Sequence, residues 1–205
     1  MWALLGVAGV AFVADLAWSL MTRVAEPSHA VERKDGEFEI RGYSPRVVAE
    51  TQVSGTWSEG GNEGFRRLAG YIFGKNAASS KLAMTAPVSQ RADSRKLAMT
   101  APVGQQKSGE GWLVSFTMPE GETLDSLPRP LDDRVVLRQL PGSRFAVVRF
   151  SGRWRDETFH ERTQALRSWV ERNGLTAVGE PESNRYNPPW TLWFLRRNEV
   201  WLPIR

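Results

Sequence analysis

Two stretches of the chain repeat one another, and this repeat constrains the fold more than any other feature of the sequence. Residues 38–57 align without a gap with residues 135–154, so that the offset between the copies is 97. Five aligned positions are identical: Arg41/Arg138, Ala49/Ala146, Ser54/Ser151, Gly55/Gly152 and Trp57/Trp154. Each copy predicts two short strands joined by a turn and followed by a Ser-Gly-x-Trp corner.

A helix is predicted after each corner. In the first helix, apolar residues recur at helical spacing at Phe65, Leu68, Ala69, Ile72 and Phe73, with Asn62 as N-cap and Gly74 as the end. In the second helix, the apolar face is Phe159, Leu166, Trp169 and Val170, with Asp156 as N-cap and Gly174 as the end.

The repeat also predicts how the two copies pack. A β-β-α unit cannot bury its sheet face alone, so two copies should pack around a pseudo-two-fold axis. Further strands are predicted at 81–90, 96–105, 111–118 and 191–202. The expected fold class is α+β, a curved antiparallel sheet or distorted β-barrel with two helices against it. A cleft between a helix and the sheet would hold a ligand.

A second repeat is shorter and identical in sequence. The octapeptide Lys-Leu-Ala-Met-Thr-Ala-Pro-Val occupies residues 81–88 and again residues 96–103. It predicts a hairpin whose loop is residues 89–95. Met84 and Met99 would then share one face, either as core residues or as soft sulfur groups that line an apolar pocket or approach a metal.

The first 21 residues contain a single charged side chain, Asp15. As a helix they would extend about 31 Å, enough to cross a bilayer core. The absence of a basic residue before Arg23 favours an uncleaved single-pass anchor over a cleaved signal peptide. We therefore expect a membrane anchor (or uncleaved signal) at 1–22, a linker at 23–36 and a ligand-binding domain at 37–205. The side of the membrane stays open.

Composition excludes several classes of function. The chain has no Cys and only two His, so disulfide scaffolds, thiolate nucleophiles and multi-histidine metal sites are excluded. The net charge of +4 is modest and forms no basic stripe, so a nucleic-acid partner is not expected. No catalytic constellation is visible, so an enzyme is not expected. Composition does not address the oligomeric state.

Several motifs together resemble the SOUL haem-binding family. They are F-E-I-R-G-Y-S-P, G-F-R-R-L-A-G-Y-I-F-G-K-N, K-L-A-M-T-A-P-V, S-F-T-M-P and Y-N-P-P-W…R-R-N-E-V-W, in that family's order. The resemblance implies a distorted β-barrel with two helices, and haem or porphyrin bound in an apolar groove between the first helix and the loop before the last strand. The implied wall is Phe65, Leu68, Ala69, Ile72 and Phe73, facing Tyr186, Pro188, Pro189 and Trp190.

The resemblance also bears on how a tetrapyrrole would be held. Propionates need cationic partners, and the candidates are Arg66, Arg67, Lys75 and Arg185. Some family members carry a His, proposed as an axial iron ligand, where this chain has Gly42. Neither His29 nor His160 matches that position. We therefore expect non-covalent binding without a His axial ligand, equally suited to iron-free porphyrin, in a membrane-tethered carrier, buffer or sensor.

Two alternatives remain open. Barrels of this kind also occur as effector-binding domains of transcription regulators, so the groove could belong to a binding or scavenging module for other flat apolar or cationic molecules. A buried carboxylate in the pocket would favour that alternative. The same groove could also serve an enzyme that acts on a small lipophilic substrate.

Overall fold

The structure is a computed structural model that describes residues 24–77 and 94–205. The predicted membrane segment and the first copy of the octapeptide, residues 81–88, lie outside the described residues. Within the described ranges, no helix combines the length and the apolar character needed to cross a membrane.

The described ranges contain two α-helices and eleven β-strands. The helices are α1 (Trp57–Ile72) and α2 (Asp156–Arg172). The strands are β1 (His29–Asp35), β2 (Phe38–Tyr43), β3 (Arg46–Val53), β4 (Asn76–Ala77), β5 (Val103–Ser108), β6 (Gly111–Thr117), β7 (Arg129–Pro130), β8 (Val136–Leu140), β9 (Ser143–Phe150), β10 (Glu182–Arg185) and β11 (Asn198–Pro203). A 3-10 turn covers Trp193–Leu195.

Nine strands form one curled antiparallel sheet, a half-barrel, in the order β1-β2-β9-β11-β10-β5-β6-β3-β8. The order is symmetric about the β10–β5 pair once β1 is set aside. The first strands of the two repeat copies, β2 and β8, are then outermost. Each pairs with the second strand of the other copy, β2 with β9 and β8 with β3. The predicted α+β fold and its pseudo-two-fold arrangement are confirmed.

Both helices pack on the same face of this sheet, one on each half. The first core joins Leu68, Tyr71 and Ile72 of α1 to residues of β3 and β6 that include Ala49, Val114 and Phe116. The second core joins Leu166, Trp169 and Val170 of α2 to Ala146 and Val148 of β9 and to Val200 and Leu202 of β11. The apolar pattern of α2 therefore predicted its buried face, and Phe159 packs at the edge of the second core. In α1, Leu68 and Ile72 of the predicted pattern are buried, whereas Phe65 and Phe73 are exposed.

The first helix begins earlier than predicted. Thr56 is its N-cap, and the Thr56 side chain accepts a hydrogen bond from the backbone N–H of Glu59. The Glu59 carboxylate accepts one from the backbone N–H of Thr56 in return. Asn62 was the wrong N-cap because this capping box already satisfies the first turn, and Asn62 lies beyond it. The second helix begins at Asp156, with Arg155 as N-cap.

Glycine allows α1 to lie close to the sheet. A Cβ atom on Gly64 would sit 2.5 Å from the Cβ of Val114 on β6, and one on Gly61 would sit 2.3 Å from a guanidinium nitrogen of Arg185. No side chain larger than hydrogen fits at that separation. The backbone of the first helical turns is thereby held against the centre of the sheet.

Three predicted segments differ from the structure. Residues assigned to the linker form β1, which pairs with β2. Of the strand predicted at 96–105, only the part from Val103 onward belongs to a strand, while Leu97 packs in the first core. The last strand begins at Asn198 rather than at residue 191, because the preceding residues form the 3-10 turn.

Candidate functional site

One side of α1 exposes large apolar groups. The Phe65 ring is 39% exposed and lies 5.5 Å, centroid to centroid, from the ring of Phe116 on β6. Phe73, at the C-cap, is 57% exposed. Ala69 is half-buried on the same side and packs on the first core, as does Met99. These residues form an apolar side of the helix that is open to a ligand.

Leu68 and Ile72 belong to the core rather than to this open side. Their exposed fractions are at most 1%. They hold the helix on the sheet and so position Phe65 and Ala69 without presenting a surface of their own.

The register of the strands places the loop before β11 next to this region. Phe65 lies on Phe116, Phe116 pairs with Val103, and Val103 pairs with Arg185, the last residue of β10. The chain continues from Arg185 directly into residues 186–197. Two inter-strand spacings, from β6 to β5 and from β5 to β10, therefore separate Phe65 from the start of this loop.

The loop carries a cluster of exposed apolar side chains. Trp190 is 72% exposed, and it is followed by Leu192, Trp193 and Phe194, which are 40%, 49% and 46% exposed. Pro188 and Pro189 are exposed as well. Trp190 is among the predicted wall residues, whereas Leu192, Trp193 and Phe194 are not. The run T-L-W-F-L signals these side chains, but within the strand predicted at 191–202 they would be buried.

The loop is braced by its own polar groups. The Arg196 guanidinium donates to the carbonyls of Thr191 and Pro189. The backbone N–H of Arg197 donates to Oδ1 of Asn187 at 2.7 Å. These bonds hold the two ends of the loop together while its apolar side chains point outward.

Tyr186 lies on the other face of the sheet from α1. Its ring packs with Tyr43, Phe145 and Trp201. Its hydroxyl donates to a carboxylate oxygen of Glu199 at 2.7 Å. Among the predicted wall residues, Tyr186 is therefore separated from the α1 side by the sheet itself.

Glu199 is a fully buried carboxylate with several donors. Arg41 donates to both of its oxygens, at 2.9 and 3.1 Å. Arg197 donates to one oxygen at 2.9 Å and Trp201 to the other at 2.7 Å. Burial alone would raise the pKa of Glu199, but the hydrogen bonds and charges of the two arginines outweigh it and lower that pKa to about 2.

Arg185 is half-buried at the pseudo-two-fold axis. Its guanidinium carbon lies 5.5 Å from the ring centroid of Trp57 and 5.2 Å from that of Trp154, and one nitrogen donates to Oε1 of Gln105 at 2.8 Å. Burial lowers the pKa of Arg185 to about 10. This residue is a cation that packs against both indole rings beneath the start of α1.

The other predicted cations, Arg66, Arg67 and Lys75, lie around one small cavity beside α1. Arg67 donates to Oγ1 of Thr51 on β3 at 2.8 Å, and both Arg66 and Arg67 pair with Glu63. Together with Lys75 they line a cavity of about 50 Å³. A cavity of that size is far below the several hundred Å³ of ordinary ligand pockets.

The two histidines of the chain lie away from the α1 side. The His29 ring packs 5.0 Å from the ring of Tyr43, on the face that the helices leave uncovered. His160 is exposed on α2 and contacts Gln164. The groups near α1 and the loop are aromatic and aliphatic, so they fit the apolar face of a porphyrin, and they offer no imidazole to its iron.

Comparisons with known proteins agree with the motifs. A model of the family described as SOUL heme-binding protein matches residues 24–203. Heme-binding protein 2 of Homo sapiens is 30% identical over 169 residues, which cover 82% of this chain and 78% of the human protein. Heme-binding protein 2 of Mus musculus is 27% identical over 174 residues, covering 84% of this chain and 80% of the mouse protein.

Solved structures with low identity share the fold. The C-terminal domain of EcmrR has a TM-score of 0.52 at 12% identity, covering 82% of this chain and 96% of that domain. A hydrolase from Listeria innocua has a TM-score of 0.54 at 13% identity, covering 85% of this chain and 94% of its own. These similarities concern architecture alone. The family model, by contrast, matches nearly the whole described chain, and this protein belongs to the SOUL heme-binding protein family.

Proposed function

We propose that this protein binds haem or an iron-free porphyrin non-covalently, in a groove between the open side of α1 and the loop before β11. The observation that carries the proposal is that both elements leave large apolar groups exposed, Phe65 and Phe73 on α1 and Trp190 on the loop. Large apolar groups that cluster at a surface mark ligand or partner sites more often than isolated ones do. A porphyrin supplies a flat apolar surface large enough to cover both.

The macrocycle would be held by contact and charge rather than by an imidazole. Bound haem would supply a flat hydrophobic disc with two propionates and an iron. Lys96 is exposed and precedes Leu97, whose N–H donates to the carbonyl of Ile72, so it lies at the C-terminal end of the α1 wall. We add Lys96 to Arg66, Arg67, Lys75 and Arg185 as a candidate propionate partner.

The cellular role that follows is a carrier, buffer or sensor tethered to a membrane. Residues 1–21 would be the tether, as their composition indicates. Binding without an axial His suits a protein that releases its ligand. Apolar contacts with the macrocycle and charge pairing of the propionates hold haem less firmly than a bond to the iron.

The alternative ligand class, flat organic cations, is less well supported. A cation site in this fold needs a carboxylate that is free to pair with it. Glu199 is buried, but Arg41 and Arg197 already neutralise it and occupy its oxygens. Glu199 therefore does not supply that carboxylate.

A visible-absorbance titration tests the proposal. The full-length chain in non-ionic detergent micelles would be titrated with haemin and, separately, with protoporphyrin, with empty micelles as the blank. We expect saturable one-to-one binding of both ligands with similar affinity. Failure of both to saturate would overturn the proposal, and tight binding of haemin alone would overturn the account without an axial ligand.

Variants locate the groove. Phe65→Ala and Trp190→Ala should each weaken binding at least about tenfold, because burying an aromatic side chain contributes roughly 1.5–3 kcal/mol. Val178→Ala is the control, since Val178 is exposed and its N–H bonds to Pro203 at the far end of β11. Equal affinities for all three variants would place the ligand elsewhere.

A further inference from the structure

The structure points to a membrane contact besides the tether proposed above. We propose that the aromatic loop, residues 188–196, inserts Leu192, Trp193 and Phe194 into the interface of an anionic lipid bilayer, while Trp190 remains at the groove. The groove beside the loop then opens against the membrane surface. This last consequence rests on the proposed function, whereas the insertion itself does not.

The composition and exposure of the aromatic loop fit a bilayer interface. Four large apolar side chains are exposed within five residues: Trp190, Leu192, Trp193 and Phe194. Tryptophan concentrates at membrane interfaces because its ring is apolar while its N–H can meet polar headgroups. Leucine and phenylalanine beside it can enter the acyl boundary.

The aromatic loop is also preorganised to present these groups. The N–H of Leu195 donates to the carbonyl of Leu192 at 2.9 Å and closes the 3-10 turn. The Arg196 guanidinium donates hydrogen bonds to the carbonyls of Pro189 and Thr191. Because the loop is already ordered, insertion does not require the chain to lose further conformational freedom.

The charges around the aromatic loop complement an anionic surface. Residues 186–197 contain Arg196 and no acidic residue, while Arg197 is already paired with Glu26 and Glu199. The neighbouring corner, residues 151–155, contains Arg153 and Arg155 and no acidic residue. The Arg153 guanidinium carbon lies 5.9 Å from the centroid of the Trp193 ring, so a cation accompanies the apolar group that would enter the interface.

The N-terminal segment is attached at the same place. Glu26 pairs with Arg197 at 2.8 Å, and Ala25 bridges to Thr100 just before β5. The proposed tether ends at Met21, three residues before Val24, so an extended connection reaches about 10 Å. A tether that leaves the domain here would hold the aromatic loop close to the bilayer. The tether and the loop would then attach the same side of the domain to the membrane at two points.

Because the chain has no Cys, a single introduced thiol can report the position of the loop. Leu192→Cys and the control Val178→Cys would each be labelled with an environment-sensitive fluorophore, in the full chain reconstituted into vesicles of phosphatidylcholine and phosphatidylserine. The two native side chains have similar exposure, 40% and 50%. We expect a blue shift and quenching by lipid-borne nitroxides at position 192, while the probe at 178 remains in a water-like environment.

A second variant tests which side chains cause the insertion. Adding Trp193→Ser and Phe194→Ser to the labelled Leu192→Cys protein should return the probe to a water-like spectrum. A water-like probe at 192 in the parent protein overturns the proposal. Shielding that rises with the number of protein molecules per vesicle assigns the loop to a second copy of the chain, and overturns it as well.

The tetrapyrrole titration of the unlabelled protein separates the two proposals. Saturable tetrapyrrole binding together with a water-like probe at 192 would remove the membrane contact and leave the proposed function. An inserted probe without tetrapyrrole binding would support the membrane contact and remove the proposed function.

Discussion

The indole rings of Trp57 and Trp154 stack with their centroids 5.1 Å apart and their planes inclined by 20°. They occupy the same position in the two copies of the sequence repeat, where Trp57 is the first residue of α1 and Trp154 lies two residues before α2. The contact therefore lies at the pseudo-two-fold axis, where Arg185 packs against both rings. It joins the N-terminal ends of α1 and α2, which otherwise pack on different halves of the sheet.

Replacing Trp57 should destabilise the whole domain. Trp57 is 5% exposed, and Trp57→Ala removes a buried ring from the junction between the halves, so we expect a loss of about 3–5 kcal/mol in the free energy of unfolding. Trp190→Ala is the matched control on an exposed ring and should change it by no more than about 0.5 kcal/mol. Urea unfolding followed by circular dichroism measures both. Equal losses would show that the Trp57–Trp154 contact does not join the halves.

The repeat made much of the fold predictable. A unit that appears twice with the same strands, corner and helix must bury two similar sheet faces, and the symmetric strand order follows from that. The Ser-Gly-x-Trp corners and the apolar spacing of each helix placed Leu68 and Leu166 in their cores correctly.

The start of α1 was not predictable in the same way. The segment Ser58-Glu59-Gly60-Gly61 reads locally as a turn, because glycine weakens a helix. In the structure, the close approach of α1 to the sheet requires those glycines, so tertiary packing overrides the local preference.

The positions of Arg185 and Tyr186 depended on a register that the sequence does not show. The strand that precedes the loop, β10, reads Glu-Ser-Asn-Arg and has no apolar alternation from which its faces could be assigned. Pairing with β5 and β11 puts Arg185 on the helix face and Tyr186 on the other. The predicted groove wall therefore includes residues from both faces of the sheet.

Alanine substitutions at two glycines of α1 should change the stability of the domain in opposite directions. Gly64→Ala places a methyl group 2.5 Å from Val114, so the helix must move, and we expect a loss of about 1–3 kcal/mol in stability. At Gly70 the nearest atom is Cδ of the flexible Lys75 side chain, at 3.1 Å. Gly70→Ala should therefore gain about 0.5–1 kcal/mol from higher helix propensity. Thermal unfolding compares them, and a gain at both positions would contradict the tight packing of α1.

The capping box of α1 should contribute measurably to stability. Thr56→Ala removes the acceptor for the N–H of Glu59 and should cost about 1 kcal/mol. Glu59→Ala removes the reciprocal bond to the N–H of Thr56, and the double variant should cost less than the sum of the two single variants, because the groups act as one unit. Urea titrations of the three variants give this coupling. Strict additivity would mean that the two bonds are independent.

The charge of Glu199 should make the domain sensitive to acid. Its pKa of about 2 in the folded protein is below the ordinary value of 4.5, so its contribution to stability is present above pH 4.5 and is lost as the pH falls from about 5 towards 2. The difference between these pKa values corresponds to about 3 kcal/mol. Glu199→Gln isolates this effect from other titrating groups. It keeps a similar shape but leaves Arg41 without its buried counter-charge, so at neutral pH it should cost about 3–5 kcal/mol.

The test is the difference in unfolding free energy between the wild-type protein and Glu199→Gln as a function of pH. We expect the difference to be largest at neutral pH and to narrow steadily between about pH 5 and pH 2, because protonation then removes the same charge from the wild-type protein. Glu32→Gln is the control, since Glu32 pairs with Arg144 at the surface and should show a difference of less than about 1 kcal/mol throughout. A difference for Glu199→Gln that stays constant down to pH 3 would mean that the carboxylate charge does not stabilise the fold, and that the two arginines are held by their other contacts.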